Sequence, residues 1–404
     1  MKHVCTLSEP LGGIASDTRT QGAFLLRILM LSSVVLLHST AASGTEEISG
    51  VGAERAVVAH YANLLEAEFD DAATLARRMQ SAITNFLAAP SDPTLQAARQ
   101  SWVEARPPFL QAEASRFYDG PIDAVEAFIN SWPIDENCID YTASDREAGI
   151  INHPDRFPTI DRASLLAANE REGEKSISSG FHVIEFLLWG QDQDESGPGA
   201  RPWTDYALPG PGQPQHVERR RDYIRVAAAL LVEQLEGLAR DWAQNEPGND
   251  RTKWLAHPES TTLANILKGI GILSSAELGG ERLLVPYTTK EQEEEHSCFS
   301  DTTHLDLLNN QIGIRNVLLG RYVRSSSIRD LVAKADPELA SALTTQMEKC
   351  VAALSKIPPP FDQAIRGRDT DPGRMAIKKA IDALRLQSLL IARAAKAIGL
   401  NLNL

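Results

Sequence analysis

Between residues 53 and 87 the apolar side chains Val57, Val58, Tyr61, Leu64, Leu65, Phe69, Leu75, Met79, Ile83 and Phe86 recur at three- and four-residue steps. That period lines one face of a helix, so the pattern predicts a long amphipathic helix ending before Pro90. Ser91-Asp92-Pro93 then offers a capping side chain and a proline suited to a first helical turn, which starts a second helix running through Trp102 towards Phe117. Pro107-Pro108 is expected to kink or interrupt it, since proline lacks the N–H and crowds the preceding turn. A short helical run is expected around Ala124 to Asn130, and a helix over 176–189. Helical periodicity returns over about 215–244, 260–284, 301–321, 336–357 and 372–398. Strand-like alternation is almost absent, so the chain reads as all-α.

Long helices joined by turns must bury their apolar stripes against one another, which predicts two packed, four-helix-bundle-like domains. Between Gly190 and Pro214 ten of 25 residues are Gly or Pro, a composition that disfavours regular structure. The expected organisation is a first bundle over 51–190, a linker over 191–214 and a second bundle over 215–404. No short-period repeat is visible, which argues against a solenoid.

With 404 residues, 43% hydrophobic and 23% charged, the chain falls in the ordinary globular range. The formal net charge of −14 gives no basic footprint for nucleic acid and suits cationic ligands better than polyanions. Near the start, the apolar run from Ala23 to Leu37 is followed by Ser39-Thr40-Ala41-Ala42-Ser43, small residues of the kind signal peptidase accepts. Its charge-free part, Ile28 to Leu37, is about half of the roughly 20 apolar residues a membrane-spanning helix needs. Residues 1–43 therefore read as a secretory signal, and the mature chain as exported and soluble. Cleavage would remove Cys5 and leave Cys138, Cys298 and Cys350, enough for one disulfide whose pairing the sequence does not choose.

The sharpest candidate for chemistry is Gly180-Phe181-His182-Val183-Ile184-Glu185, continued by Phe186-Leu187-Leu188-Trp189. His182 and Glu185, three residues apart, share a helical face and could join in holding a metal ion or exchange a proton. In so apolar a segment both need partners. From spacing alone, an internal hydrogen bond orienting a core histidine is the better-supported reading. A second block, Glu295-His296-Ser297-Cys298-Phe299-Ser300-Asp301-Thr302-Thr303-His304-Leu305-Asp306, gathers imidazole and carboxylate groups where a helix begins. Ser300 or Asp301 is placed to cap that helix, and a polar surface patch accounts for the remainder equally well. A third stretch, Trp102 to Gly120, carries Arg106 and Glu113 on one face if the prolines leave the helix continuous, where a solvated ion-pair face is the simpler account. The zinc-protease patterns His-Glu-x-x-His and His-x-x-Glu-His are absent, as are Gly-x-Ser-x-Gly, a phosphate loop, a dinucleotide fingerprint and a haem-attachment motif.

Taken together, the Gly180-x-His182-x-x-Glu185 motif, the Trp102–Gly120 stretch and the His296–Asp306 block resemble the imelysin family, also called the M75 peptidase-like or iron-regulated protein A group. The resemblance spans about Val51 to the C-terminus. It implies two helical bundles related by a pseudo-repeat, with a polar pocket where they meet, and a periplasmic or outer-membrane-associated protein linked to bacterial iron acquisition. Carried over by position, it implies His182 and Glu185 as a metal or active-site pair. His296, Asp301, His304 and Asp306 would add ligands for iron or zinc, and Gly180, Arg106, Glu113, Ser297 and Ser300 would line the pocket. The expected partners are iron or an iron-bearing ligand and a membrane-associated uptake partner. A zinc peptidase using the same His/Glu pair as catalytic residues, and a non-catalytic partner-binding scaffold, are the alternatives. At Cys138 the chain departs from the residue expected in relatives, and a bridge from Cys138 to Cys298 is one of the pairings open to it.

Overall fold

Two long helices open the fold of this computed structural model, which describes residues 50–193, 197–208 and 216–402. The expected signal over 1–43 lies outside the described residues, as do residues 194–196 and 209–214 of the linker expected over 191–214. Helix α1 (Gly50–Ala88) and α2 (Asp92–Ala112) are followed by α3 (Pro121–Ile129), α4 (Gly149–Asn152), α5 (Arg162–Ala168) and α6 (Phe181–Trp189). After the Gly/Pro-rich stretch come α7 (Val217–Trp242), α8 (Asp250–Ala256) and α9 (Glu259–Ile272). The last of these runs into a π-helical segment, Leu273–Leu284, and then α10 (Val285–Thr289). The chain ends with α11 (Thr303–Leu319), α12 (Ile328–Ala335), α13 (Pro337–Leu354), α14 (Phe361–Ile365) and α15 (Pro372–Ala397). There is no strand among the described residues, and the fold is all-α.

Two four-helix groups form the core. In the first, α1 packs on α2 and α7, and α6 fills the space between α2 and α7. In the second, α13 packs on α15 and α11, and the π-helical segment packs on both α15 and α11. Residues Ile48–Leu404 make one compact unit. The groups meet where α11 lies against α2 and α9 against the turn that follows α2. That approach is possible because of two glycines: a Cβ on Gly313 would stand 2.1 Å from the Gln111 carbonyl oxygen, and one on Gly269 would stand 2.8 Å from that of Arg116. Any side chain at Gly313 would push the seam apart.

Three local expectations are corrected. Helix α2 continues through Pro107 and Pro108 to Ala112. Pro108, Phe109, Leu110 and Ala112 are all buried there, so tertiary packing holds the helix despite two missing donors. The helix expected over 176–189 starts only at Phe181, because Gly180 sits at φ +101° with the Ile129 carbonyl oxygen 2.6 Å from where a Cβ would be. Finally, Cys138, Cys298 and Cys350 are all free thiols, so Cys138 and Cys298 are not bridged.

The described part of the Gly/Pro-rich stretch is held at Arg201 by a buried ion network. Arg201 donates to Asp140 Oδ2 at 2.5 Å, and Arg220 of α7 donates to both oxygens of the same carboxylate at 2.6 and 2.9 Å. Burial alone would raise Asp140, but the two guanidiniums outweigh it and hold its pKa at about 2. The chain is thereby led back, through α7, to the helices that precede the stretch.

Candidate functional site

At the seam, α2 and α6 from the first group face the 296–306 loop and α11 from the second. Trp102, fully buried on α2, donates its indole N–H to the Phe181 carbonyl at 2.9 Å and so ties the start of α6 to α2. One turn along α2, the Arg106 guanidinium packs 5.1 Å from the Trp102 ring centre and 5.0 Å from that of Phe181. Its nitrogens reach across the seam to Asp306, Nε to Oδ1 at 3.2 Å and Nη2 to Oδ2 at 2.6 Å, while Nη1 donates to Asn130 Oδ1 at 2.6 Å. Asp306 Oδ2 also takes the Ser297 hydroxyl at 2.5 Å and lies 2.8 Å from His296 Nδ1. Burial alone would raise Asp306, but Arg106 and His296 outweigh it and hold its carboxyl well below the usual range.

A second buried anion lies beside the first. Glu113 receives Arg282 on both oxygens at 3.0 and 3.1 Å, Arg116 at 2.9 Å, Asn130 at 3.3 Å and Asn310 at 2.8 Å. Here too burial opposes ionisation, and Arg282 with Arg116 overcomes it. Arg106 and Glu113 therefore belong to separate ion pairs, joined only through Asn130.

The Gly180 motif supplies the third part. His182 Nδ1 lies 2.8 Å from Glu185 Oε2, and Glu185 Oε1 accepts both the Ser300 backbone N–H at 2.9 Å and its hydroxyl at 2.6 Å. Burial lowers the His182 pKa well below its usual value and raises that of Glu185 to about 8. At neutral pH the pair is thus a neutral hydrogen-bonded unit, not an ion pair, despite its short contact. With the Ser300 N–H donating into Oε1, the Glu185 proton is best placed on Oε2, facing Nδ1, which puts the imidazole proton on Nε2. That atom is buried and has no hydrogen-bond partner. The His182 ring packs 4.7 Å from the His296 ring and 5.0 Å from Trp132. His296 is neutral as well, since burial and then Arg282 lower its pKa to about 4.

Trp132 and His296 also face a cleft of about 230 Å³, together with Arg116, Asn130, Arg282 and the carboxylates of Glu126, Glu277, Glu281 and Glu294. Four acidic groups against two guanidiniums make its mouth acidic.

The structure joins His182, Glu185, His296, Asp306, Arg106, Glu113, Ser297 and Ser300 in one buried neighbourhood, with Gly180 opening α6. Asp301 and His304 make no hydrogen bond to His182, Glu185, His296 or Asp306. Asp301 sits at φ +57° with Oδ1 buried and unpartnered, and burial, then Asp192 and Asp362, raise its pKa to about 7. His304 Nδ1 is likewise buried without a partner. Sequence reasoning missed Asn130, Trp132, Arg282 and Asn310. Arg282 falls four residues after Leu278, and Asn310 lies between Leu307 and Ile314, so each sits on an apolar helical face, which was the available signal.

A resident metal does not fit these side chains as they stand. Among the described residues no group of three or more His, Cys, Asp and Glu is arranged to hold an ion. The carboxylates of Asp306 and Glu113 are consumed by guanidiniums, and that of Glu185 by Ser300 and His182.

The family model described as Peptidase_M75: Imelysin matches residues 65–391, most of the chain. The chain belongs to the imelysin family. It is 24% identical over 321 residues to iron-regulated protein A of Synechococcus elongatus, covering 76% of each chain. Its fold is shared with an imelysin-like protein of Psychrobacter arcticum, at a TM-score of 0.62 and 15% identity, covering 88% of this chain and 98% of that one. It is likewise shared with a structure named as an iron-regulated protein A precursor of Parabacteroides distasonis, at a TM-score of 0.67 and 19% identity, covering 86% of this chain and 95% of that one. At these identities the likeness to solved structures concerns the imelysin fold alone.

Proposed function

We propose that this imelysin-family protein binds an iron-bearing ligand in the cleft in front of Trp132, with His182 Nε2 as its innermost contact atom. The observation that carries the reading is that nitrogen: buried, unpartnered, and fixed in direction because Glu185 holds the other side of the ring. The link to iron comes from the names of the Synechococcus and Parabacteroides proteins. A chelate suits the site better than a bare ion, because it brings its own donors where the protein has no set of three. The acidic cleft mouth favours a chelate without net negative charge. Export through the 1–43 leader and hand-over to a membrane-associated partner complete the proposal.

Direct ligation of a metal by Nε2 would require that atom to lose its proton, with Glu185 ionised behind it. Metal uptake by that route would release a proton and strengthen as pH rises towards about 8. A zinc peptidase, with three protein ligands and an open water position, is not supported by this arrangement. The test is equilibrium dialysis of the full chain against ferrioxamine B, a cationic ferric hydroxamate, and against ferric citrate, with iron counted by mass spectrometry. Saturable uptake of the hydroxamate, reduced at least about tenfold in His182→Ala, is expected, since a lost buried hydrogen bond with a ligand costs about 1.5 kcal/mol or more. Equal retention by His182→Ala, or uptake of neither chelate, would overturn the reading.

A further inference from the structure

The final helix carries a surface unlike the rest of the molecule. On α15 the outward residues are Met375, Lys378, Lys379, Asp382, Arg385, Leu386, Leu389, Arg393 and Lys396, all exposed. Their spacing puts them on one face, opposite the buried Ile377, Ile381, Leu384 and Ile391 that pack into the second group. The exposed large apolar side chains among the described residues are Leu208, Leu284, Tyr322, Met375, Leu386 and Leu389, and three of these six share this one face. Leu389 is 65% exposed and Leu386 46%. Five cations lie among them against a single carboxylate, and none of the five forms an ion pair among the described residues. In a chain of net charge −14, an unpaired basic strip is a local reversal of sign.

From this face we infer that α15 docks the protein on an anionic lipid surface, lying parallel to it. Aliphatic side chains flanked by lysine and arginine are the composition of an interfacial helix, in which the apolar groups enter the headgroup boundary and the basic stems reach out to lipid phosphates. The face is the outside of a helix and none of its nine residues is aromatic, so it lacks the Trp and Tyr side chains that commonly anchor the centre of a specific protein interface. Fluid lipid requires no such complementarity. The helix lies on the surface and does not cross it: no helix among the described residues is long and apolar enough to span a membrane. From Met375 to Lys396 the strip extends about 30 Å at helical rise.

The experiment is co-sedimentation of the full chain with vesicles of phosphatidylcholine alone and with phosphatidylglycerol added, at low and high salt. Binding to the anionic vesicles alone, weakened by salt, is expected. Lys379→Ala and Arg393→Ala should each weaken it about fivefold, and Leu386→Gln with Leu389→Gln at least about tenfold. All four side chains are exposed, so the urea midpoints of the variants should match the parent, which separates loss of docking from loss of fold. Equal binding to neutral vesicles, no binding to either, or full binding by the variants would each overturn the inference. Failure of vesicle binding together with capture by an acidic protein would assign the face to a protein partner instead.

Discussion

Removing one member of the Arg106–Asp306 pair is the most direct probe of the seam. Both side chains are at most 2% exposed, and the contact crosses from α2 to α11. In Arg106→Met the aliphatic volume is largely kept, but Asp306 retains only the Ser297 hydroxyl at 2.5 Å and His296 at 2.8 Å to hold its charge. In Asp306→Leu the guanidinium keeps Asn130 alone as a strong partner, at 2.6 Å. Stranding a buried charge this way costs about 3–5 kcal/mol, whereas replacing both members with apolar groups is often close to neutral. The expected result is therefore a strongly non-additive cycle: each single variant loses about 3–5 kcal/mol, and the double variant loses far less than the sum. Because Asp306 is depressed below its unfolded value, its contribution is present above about pH 4 and is lost as pH falls further. The Asp306→Leu deficit should then shrink in acid. Urea unfolding followed by circular dichroism, at neutral and acid pH, measures both quantities. Single losses below about 1 kcal/mol, or a double variant equal to the sum of the singles, would refute the picture of a dry, mutually dependent pair.

Other positions give shorter tests. Gly313→Ala should cost about 1–3 kcal/mol in urea unfolding, because its Cβ would meet the Gln111 carbonyl at 2.1 Å; an unchanged midpoint would mean that the seam is looser than described. Glu68, fully buried on α1 with Oε2 unpartnered, has its pKa raised to about 8 by burial, so its folded-state preference for the proton stabilises below about pH 4.5 and is lost as pH rises to about 8. Glu68→Gln should accordingly become more stable than the parent with increasing pH, by up to about 1.4 kcal/mol per pH unit across that window, and a pH-independent difference would contradict it. Ser300→Ala removes a hydrogen bond that favours the ionised Glu185, so the Glu185 carboxyl should titrate still higher in carbon NMR; a lower value would reverse the argument.

Helices such as α1, α7 and α15 were legible in the sequence because their apolar stripes are long and regular, and a stripe needs no knowledge of its partner. The ending of α2 was not, since whether two prolines stop a helix depends on how much Phe109 and Leu110 bury beyond them, which is a tertiary quantity. The π-helical segment escaped for a related reason: its residues keep a nearly helical apolar spacing, while its hydrogen-bond register is local geometry that periodicity does not encode. The site divides along the same line. Gly180, His182 and Glu185 stand out as polar and small residues in an apolar run, and their mutual hydrogen bond follows from a spacing of three. That Ser300 closes Glu185, and that Arg282 rather than Arg106 balances Glu113, are facts about which segments meet, and sequence spacing is silent on them. The consequence bears on function. Around this seam the acidic groups of Asp306, Glu113 and Glu185 are each satisfied by side chains from elsewhere in the fold, so the constellation that looks like a ligand set in sequence is largely spent on holding the two helical groups together. What it leaves without a hydrogen-bond partner is the buried His182 Nε2 atom and, on the cleft wall, the Trp132 indole N–H, and a ligand that reaches them distinguishes a binding protein from a scaffold.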